Sequence, residues 1–443
     1  MRSSPLSPVL RAGGLGTPLE GPADCVYLDY NATTPIFPEV AEAMLPFLSH
    51  FGNPSSGHAF ARPCSEALAL ARARVAALVN ASPDEILFCS CGTEADAWAI
   101  QSAVESARAE ALDTLPHVVT SSIEHPAVLL HLEAAAAAGL LSFTAVGCGE
   151  DGVVQVESVV SALTPATCLV SLMHSNNETG ALQPVGAVVA AVAASRVPSR
   201  RVLVHTDAAQ SVGKVSADVA SLGVDYCTVV AHKFGGPKGV AALFVKRSAP
   251  VTRLLRGGGQ ERGLRAGTEN VLCVVGMGAA AALAIDEAAA RFDHCEALRD
   301  AMQAALVSRL GGEERVRVHG PADSRLRLPN TLSVGFDGVS SSHALVAALA
   351  PRVALSAGAA CHAAPAAPRC CGGGADAAAP HGDSHDDGAG VSSVLKAMRV
   401  PRRFAVSTLR LSVGRHTTAD EVAAAVDAIV REVTAQRGGA HET

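Results

Sequence analysis

Short apolar runs alternate with longer alanine-rich stretches between about residues 60 and 250. In "RPCSEALALARARVAALVN" the apolar side chains that share one helix face are Leu68, Ala71, Val75 and Leu78. After a Ser-Pro break, "EILFCS" has the composition of a buried strand, as have "HVVTSS", "CLVSLM", "RVLVHT" and "YCTVVA" further on. The alternation predicts repeated βαβ units, and therefore an α/β fold in which helices flank a mostly parallel sheet.

Polar residues or glycine follow each of these five predicted strands. In the order of the strands they are Gly92 and Thr93, His125, Asn176 and Asn177, Asp207 and Gln210, and His232 and Lys233. Ligands of an open parallel sheet bind just beyond the carboxyl ends of its strands. The sequence therefore predicts one polar binding crevice built from five separate strand ends.

The pattern changes after "GGGQERGLRAGTEN", residues 257–270. Long Ala- and Leu-rich helices are predicted at about 271–310, followed by a strand in "LPNTLSVGF" and a helix that begins at Ala419. This second part predicts a smaller α+β domain.

The predicted organisation has three parts. They are a flexible tail at residues 1–25, a large ligand-binding domain at 26–280, and a small C-terminal domain at 281–443. The stretch after Cys361 is rich in Pro, Gly, Ala and Asp, which cannot form a packed core. We expect a flexible loop there, at about residues 358–391.

The composition of the chain argues against some classes of function. Of 443 residues 49% are hydrophobic and 17% charged, so the chain can bury a large core, and a net charge of -7 gives no basic surface for nucleic acid. No uncharged apolar run reaches the roughly 18 residues of a membrane span. Twelve scattered cysteines favour reduced thiols and a cytoplasmic setting, although Arg2 and Arg11, with no acid before Glu20, leave organellar targeting by residues 1–20 open.

One pairing in the predicted crevice points to a cofactor. Lys233 can form a Schiff base with a carbonyl, and Asp207, ending the neighbouring strand, can hold a pyridine nitrogen protonated, which are the two requirements of pyridoxal phosphate. Gly92 and Thr93 open a helix and offer N–H groups and a hydroxyl to a phosphate. The remaining candidate contacts are His125, by stacking on the ring, and Asn177 and Gln210, by hydrogen bonds to its phenolic oxygen.

The same residues carry a resemblance to a known family. The stretches that match are "YLDYNATTP", "FGNPSSGH", "SCGTEAD", "SSIEHPAV", "NNETG", "HTDAAQSVGK", "HKFGGPKG", "GGGQERGLRAGTEN", "GAACH" and "LRLSVGR". In this order, over residues 26–435, they resemble the NifS-type branch of fold-type I, class V aminotransferase-like pyridoxal phosphate enzymes, the cysteine desulfurases and selenocysteine lyases.

The resemblance implies roles for the site residues. Lys233 would be the cofactor lysine, Asp207 the pyridinium partner, and His125 the stacking residue and proton carrier. The phosphate contacts would be Gly92, Thr93 and His232, with Thr268 of the partner subunit in an obligate homodimer. Arg410 would bind the substrate carboxylate, a task that suits its bidentate fork. One departure is Val230, where many relatives have a serine that contacts the phosphate.

Cys361, in "SAGAACH", is the predicted nucleophile. A thiol among Gly and Ala has little to pack against, and a mobile loop would let it visit the cofactor and leave. In the family the equivalent cysteine attacks the sulfur or selenium of the substrate. A buried structural cysteine would need apolar neighbours that this stretch does not provide.

Two further interpretations concern cysteines and metals. Cys370 and Cys371 with nearby histidines lack the usual zinc-ligand spacing, so we expect no metal. Cys89 and Cys91 at the first strand end are interpreted as packing residues rather than a redox pair.

The predicted activity is removal of selenium from L-selenocysteine to give L-alanine. "GAACH" with His362, "HGDSHDD", "DYNATTP" and "NNETG" resemble animal-type selenocysteine lyases. The alternative is a cysteine desulfurase that passes sulfur through a Cys361 persulfide for iron–sulfur cluster or thio-cofactor assembly, and an aminotransferase is a weaker third. The expected partners are a selenocysteine or cysteine substrate and a selenium or sulfur acceptor protein.

Overall fold

The computed structural model describes residues 25–110, 114–198, 200–358 and 391–439. The strands in these ranges are β1 (Val26–Tyr27), β2 (Ile86–Cys89), β3 (His117–Ser121), β4 (Ser142–Val146), β5 (Thr167–Ser171), β6 (Leu203–Asp207), β7 (Tyr226–Val230), β8 (Ala241–Val245), β9 (Val316–His319), β10 (Thr331–Phe336), β11 (Val353–Ala354) and β12 (Leu409–Ser412). The α-helices are α1 (Pro38–Met44), α2 (Arg62–Leu78), α3 (Gly92–Glu110), α4 (Pro126–Ala137), α5 (Val156–Ser161), α6 (Val185–Ala194), α7 (Val219–Leu222), α8 (Val271–Asp286), α9 (Ala288–Arg309), α10 (Ser342–Leu349), α11 (Ser393–Ala397), α12 (Arg402–Ala405) and α13 (Ala419–Gly439).

A seven-stranded sheet forms the centre of the molecule. Its order is β2-β8-β7-β6-β5-β3-β4, and β8 runs antiparallel to both of its neighbours while the other pairs are parallel. Because β2 and β7 are both antiparallel to β8, which lies between them, β2 and β7 run in the same direction. The five predicted strands therefore end at one edge, and the predicted α/β fold with a mostly parallel sheet is confirmed.

Helices cover both faces of this sheet, as its continuously apolar strands require. On one face α3 and α4 pack over a cluster that includes Trp98, Leu203 and Tyr226. On the other face the core contains Val204 and Val229, and α2 packs against α8. The alternation of strand side chains thus sends Leu203 and Asp207 to the α3 face and Val204 to the other.

A second core lies around the antiparallel sheet β12-β10-β9 and the helices α9, α10 and α13. Leu28 from the start of the described chain packs in this core, and β1 pairs with β11. By contrast, Val394 and Phe404 pack in the core of the large sheet. The N-terminal segment therefore runs between the two sheets, where it borders the site described below.

The predicted long helices at 271–310 are α8 and α9, with a bend of 77° between them. Among the described helices none is by itself long and apolar enough to cross a membrane; α8 and α9 meet the length and composition criteria only as this bent pair.

Candidate active site

A cavity of about 260 Å³ lies at the carboxyl ends of the large sheet. We call it the crevice. Nine of the residues that sequence analysis singled out line it: Gly92, Thr93, His125, Asn177, Asp207, Gln210, His232, Lys233 and Arg410. The crevice also receives Asn31, Cys91, Asp96, Met173 and Ser175, to which the sequence analysis gave no role at this site.

Lys233 is placed by a short 3-10 turn, Ala231–Lys233, which directly follows β7. Its Nζ donates hydrogen bonds to the carbonyl oxygens of Asn31 at 2.7 Å and Ala32 at 2.9 Å. The chain then turns at Gly235, where φ is +97° and an added Cβ would lie 2.0 Å from a Phe37 ring carbon. Glycine is therefore required there to let the N-terminal segment approach the lysine.

Asp207 ends β6 and is buried, with its side chain at the crevice wall. Its Oδ1 accepts the N–H of Ala209 at 2.9 Å. Burial raises the pKa of Asp207, while this N–H and the charges of His125 and Lys233 act in the opposite direction. A cationic ring nitrogen in the crevice would compensate the buried carboxylate, so this wall fits the pyridine ring of pyridoxal phosphate.

The start of α3 forms the anion-binding end of the crevice. Its first N–H groups have no partner within the helix, and Gly92 and Thr93 bring them to the crevice wall. An added Cβ on Gly92 would lie 2.8 Å from Val230 Cγ2, so the helix start needs glycine to pack this closely on β7. Val230 offers no hydrogen bond at this position. His232 Nδ1 lies 3.1 Å from Thr33 Oγ1, and burial lowers the pKa of His232 to about 4.

His125 is fixed by a helix cap. It is the N-cap residue of α4, and its Nδ1 accepts the N–H of Ala127 at 3.1 Å. An accepting Nδ1 carries no hydrogen, so the proton of the neutral ring sits on Nε2. The imidazole therefore stands at the crevice with a defined tautomer.

Asn31 and Lys214 are site residues whose roles the sequence analysis missed. Gln210 Nε2 donates to the Asn31 carbonyl at 2.9 Å, and Lys214 Nζ donates to Gln210 Oε1 at 2.8 Å and to Asn31 Oδ1 at 3.0 Å. Burial holds the pKa of Lys214 well below its ordinary value. Both residues fall inside matching stretches, "YLDYNATTP" and "HTDAAQSVGK", which was the available signal.

Arg410 reaches the crevice from β12 of the small sheet. Its Nη2 pairs with Asp29 Oδ1 at 2.7 Å, and its Nη1 donates to the Asn177 carbonyl at 3.1 Å. Its buried Nε has no hydrogen-bond partner among the described residues. The guanidinium therefore brings a positive charge to the wall opposite the large sheet.

One described residue among the predicted site residues is not in the crevice. Thr268 lines a second cavity of about 170 Å³, together with Arg265 and Glu269. Cys361 lies outside the described residues, as do Cys370 and Cys371.

The interpretation of Cys89 and Cys91 as packing residues is confirmed for Cys89 and wrong for Cys91. Cys89 is buried in the core under α3, as predicted, but Cys91 is exposed and lines the crevice. Cys91 stands where the chain leaves the sheet to begin α3, so it does not share the buried position of the strand residue. Within the described ranges no group of three or more His, Cys, Asp or Glu side chains is placed to hold a metal ion.

Comparison with known proteins agrees with this architecture. Residues 26–424 match the aminotransferase class-V family. A selenocysteine lyase from Bos taurus is 36% identical over 438 residues, which cover 94% of each chain. A cysteine desulfurase from Cereibacter sphaeroides is 40% identical over 407 residues, 90% of this chain and 92% of the relative.

Comparison with solved structures points to the same family. A solved structure of a NifS-like protein has a TM-score of 0.79 at 32% identity, and the match covers 93% of this chain and 99% of that one. The chain therefore belongs to the class-V aminotransferase family, and it is a pyridoxal phosphate-dependent enzyme of that family.

Proposed function

We propose that this enzyme removes selenium from L-selenocysteine and releases L-alanine. The observation that carries the proposal is the crevice itself, where Lys233, Asp207 and the start of α3 face Arg410 across one cavity. The first three groups suit the lysine, ring-nitrogen and phosphate contacts of the cofactor. The fourth suits the carboxylate of an amino acid.

The cofactor supplies an electron sink for bonds broken at the α-carbon of the substrate. Asp207 would hold the ring nitrogen, and the N–H groups at Gly92 and Thr93 would hold the phosphate. His125 would stack on the ring, with Gln210 and Asn177 at the phenolic oxygen.

Lys233 would move the α-proton. For this transfer the Lys233 amine must lie near the α-carbon of the substrate, and the carbonyls of Asn31 and Ala32 would hold it in place. Two hydrogen bonds from the amine to these carbonyls fix the direction of its lone pair. A fixed lone pair favours proton transfer to and from one position. The Nε2 proton of His125 provides a second donor at the crevice.

Arg410 would bind the substrate carboxylate. In the described structure its Nη2 is paired with Asp29, so an incoming carboxylate must displace or share that ion pair. Burial of the guanidinium strengthens the interaction with either carboxylate, because little water screens it.

Cys361 would complete the reaction. Attack of its thiolate on selenium forms an S–Se bond and breaks the C–Se bond, and the carbon keeps the electron pair, takes a proton and leaves as alanine. The same step on cysteine gives a persulfide.

Cysteine desulfuration is the second candidate, since desulfurases and lyases match this chain at similar identity. Two observations favour selenium. The match to the Bos taurus lyase covers 94% of this chain, against 90% for the desulfurase from Cereibacter sphaeroides. The stretch "GAACH" also resembles the lyases.

The test is alanine release from selenocysteine and from cysteine by the purified enzyme and by Cys361→Ala, with Cys64→Ala, a buried thiol away from the crevice, as the matched control. We expect the wild type to prefer selenocysteine by a clear margin. Cys361→Ala should damage the cysteine reaction more than the selenocysteine reaction, because selenium leaves more readily. Equal or faster turnover of cysteine, with persulfide on Cys361, would identify a desulfurase instead.

We further propose a homodimer in which Thr268 serves the site of the partner subunit, and an acceptor protein that takes up the released selenium. Thr268 lies outside the crevice of its own chain. Phe51 and Phe60 are exposed by 81% and 67%, and their rings lie 5.6 Å apart, which is the kind of apolar patch that a second subunit would cover.

Mixing two impaired variants tests the shared site. Lys233→Ala and Thr268→Ala are each expected to have low activity alone. A mixed dimer has one site with both an intact Lys233 and an intact partner threonine, so activity should return on mixing after subunit exchange. No recovery from a verified mixed dimer would contradict the role of Thr268 across the interface.

A further inference from the structure

Three carboxyl groups are buried beneath the crevice, although the proposed mechanism uses only Asp207. The other two are Asp96, on the first turns of α3, and Glu124, directly before His125. Asp96 is 2% exposed and lines the crevice, as Asp207 does. Its neighbourhood therefore bears on the charge that faces the cofactor ring.

Asp96 has a poor set of partners for a charged carboxylate. Its Oδ1 has no hydrogen-bond partner among the described residues, and the nearest imidazole nitrogen, His205 Nε2, lies 3.6 Å away. Burial lowers the pKa of His205 to about 3, so this ring supplies no positive charge. The Thr228 hydroxyl hydrogen-bonds the carboxyl and is a neutral partner.

Asp207 is better placed to be ionised. It receives the N–H of Ala209, and Lys233 and His125 are the groups whose charges favour its ionised form. It also stands directly opposite Thr228 in the β6–β7 pairing, so both carboxyl groups meet around this threonine. Two close carboxyl groups in a dry site do not both ionise, and the one with the better donors keeps the charge.

The polar row across the sheet supports this division. Ser171 Oγ lies 2.9 Å from His205 Nδ1, and His205 Nε2 lies 3.1 Å from Thr228 Oγ1. The row reaches Asp96 through Thr228, and its members are uncharged. It can orient a carboxylic acid by hydrogen bonds, but it cannot neutralise a second carboxylate.

We propose that Asp96 is a positioning residue that holds a proton at neutral pH, so that Asp207 alone carries the negative charge beneath the ring nitrogen. The titratable groups that face Asp96 are Asp207 and His205 from β6, Glu124 from the segment before α4, and Cys91 from the segment before α3. The negative charge of Asp207 opposes the ionisation of Asp96. The inference rests on the proposed role of Asp207 toward the cofactor.

The test compares Asp96→Asn with Asp96→Ala, using Glu124→Gln as the matched control for a second buried carboxyl. In apoprotein, infrared difference spectra of the wild type should contain a protonated-carboxylic-acid carbonyl band from Asp96 and another from Glu124, of which Asp96→Asn loses the first and Glu124→Gln the second. In holoenzyme, Asp96→Asn should bind pyridoxal phosphate with the pH titration of its absorption band unchanged. Asp96→Ala, which removes the partner of Thr228, should weaken cofactor binding.

Two results would overturn the proposal: no acid band lost in Asp96→Asn, or a shift of the cofactor titration by about one pH unit or more, which is about 1.4 kcal/mol of lost charge interaction. Loss of the band in Asp96→Asn from a protein that binds no pyridoxal phosphate would support the proton on Asp96 and contradict the proposed function.

Discussion

The two walls of the crevice are built in different ways. On the wall formed by the large sheet, Asp207 and Lys233 sit at or just after strand ends, and short-range geometry places them: the N–H of Ala209 for one, a single 3-10 turn for the other. This wall would carry the cofactor. The positions of its residues are set locally, by the direction of the strands and by the points where helices begin.

The opposite wall depends on distant pairings. Arg410 pairs with Asp29, 381 positions away, and Asn31 contacts Thr331 Oγ1 at 2.8 Å and Ser412 Oγ at 3.0 Å. The N-terminal segment thus joins the large sheet to the small one where substrate would bind. We infer that changes on the first wall act on the chemical step, and changes on the second wall act on substrate binding.

The largest expected effect is at Lys233. Lys233→Ala should abolish turnover and the visible absorption of the bound cofactor, because no other amine replaces the one held by the Asn31 and Ala32 carbonyls. Lys238→Ala is the control, since Lys238 is exposed five positions further on. Steady-state rates and absorption spectra check both variants; a coloured, active Lys233→Ala would contradict the account of the first wall.

Asp207→Asn should fold and lose about 10²–10³-fold in kcat, the loss typical when one preorganised electrostatic partner is removed. KM should change much less, because the residue lies on the cofactor wall. Asp84→Asn, an exposed surface pair with Arg247, should leave both constants unchanged. A change confined to KM would show that the two walls do not divide the work in this way.

Arg410→Gln should raise KM about 10- to 150-fold, since a hydrogen bond to a charged group is worth about 1.5–3 kcal/mol. The absorption of the bound cofactor should be retained. Substrate titrations of rate and of absorption measure both quantities. Unchanged KM would place the carboxylate contact elsewhere.

Asp29→Asn also tests whether Arg410 binds the substrate carboxylate, and its expected effect is smaller. If Asp29 competes with substrate for Arg410, removing its charge should lower KM, by at most about fivefold because partly exposed ion pairs contribute about 1 kcal/mol or less. A higher KM would mean that Asp29 orients the guanidinium instead.

Glu124→Gln should change stability with pH and leave turnover nearly unaltered. Burial raises the pKa of Glu124 from 4.5 to about 8, so the folded apoprotein holds this proton while the unfolded chain releases it. The free energy of unfolding should therefore be highest below pH 4.5 and fall between about pH 4.5 and 8, by at most about 1.4 kcal/mol per pH unit for this group. Denaturant unfolding of both proteins across this range should give a flatter profile for the variant; parallel profiles would contradict a buried proton on Glu124.

The difference between the walls also decides what the sequence could predict. The strand ends that carry Asp207 and Lys233 follow from apolar runs and their direction, so the cofactor wall was predictable from local patterns. Arg410 was predicted only through the resemblance, because its place depends on pairing between β10 and β12. Asp96 carries no local signal of its role, since a polar residue on a helix is usually exposed and only tertiary packing buries this one.

The central claim is that the crevice amine of Lys233 binds pyridoxal phosphate. Holoenzyme reduced with borohydride, digested and mapped by mass spectrometry tests it directly. The account predicts a reduced pyridoxyl-phosphate label on Lys233, and none on Lys214, whose amine donates to Gln210 and Asn31 nearby. A label on Lys214, or no covalent label on Lys233, would contradict it.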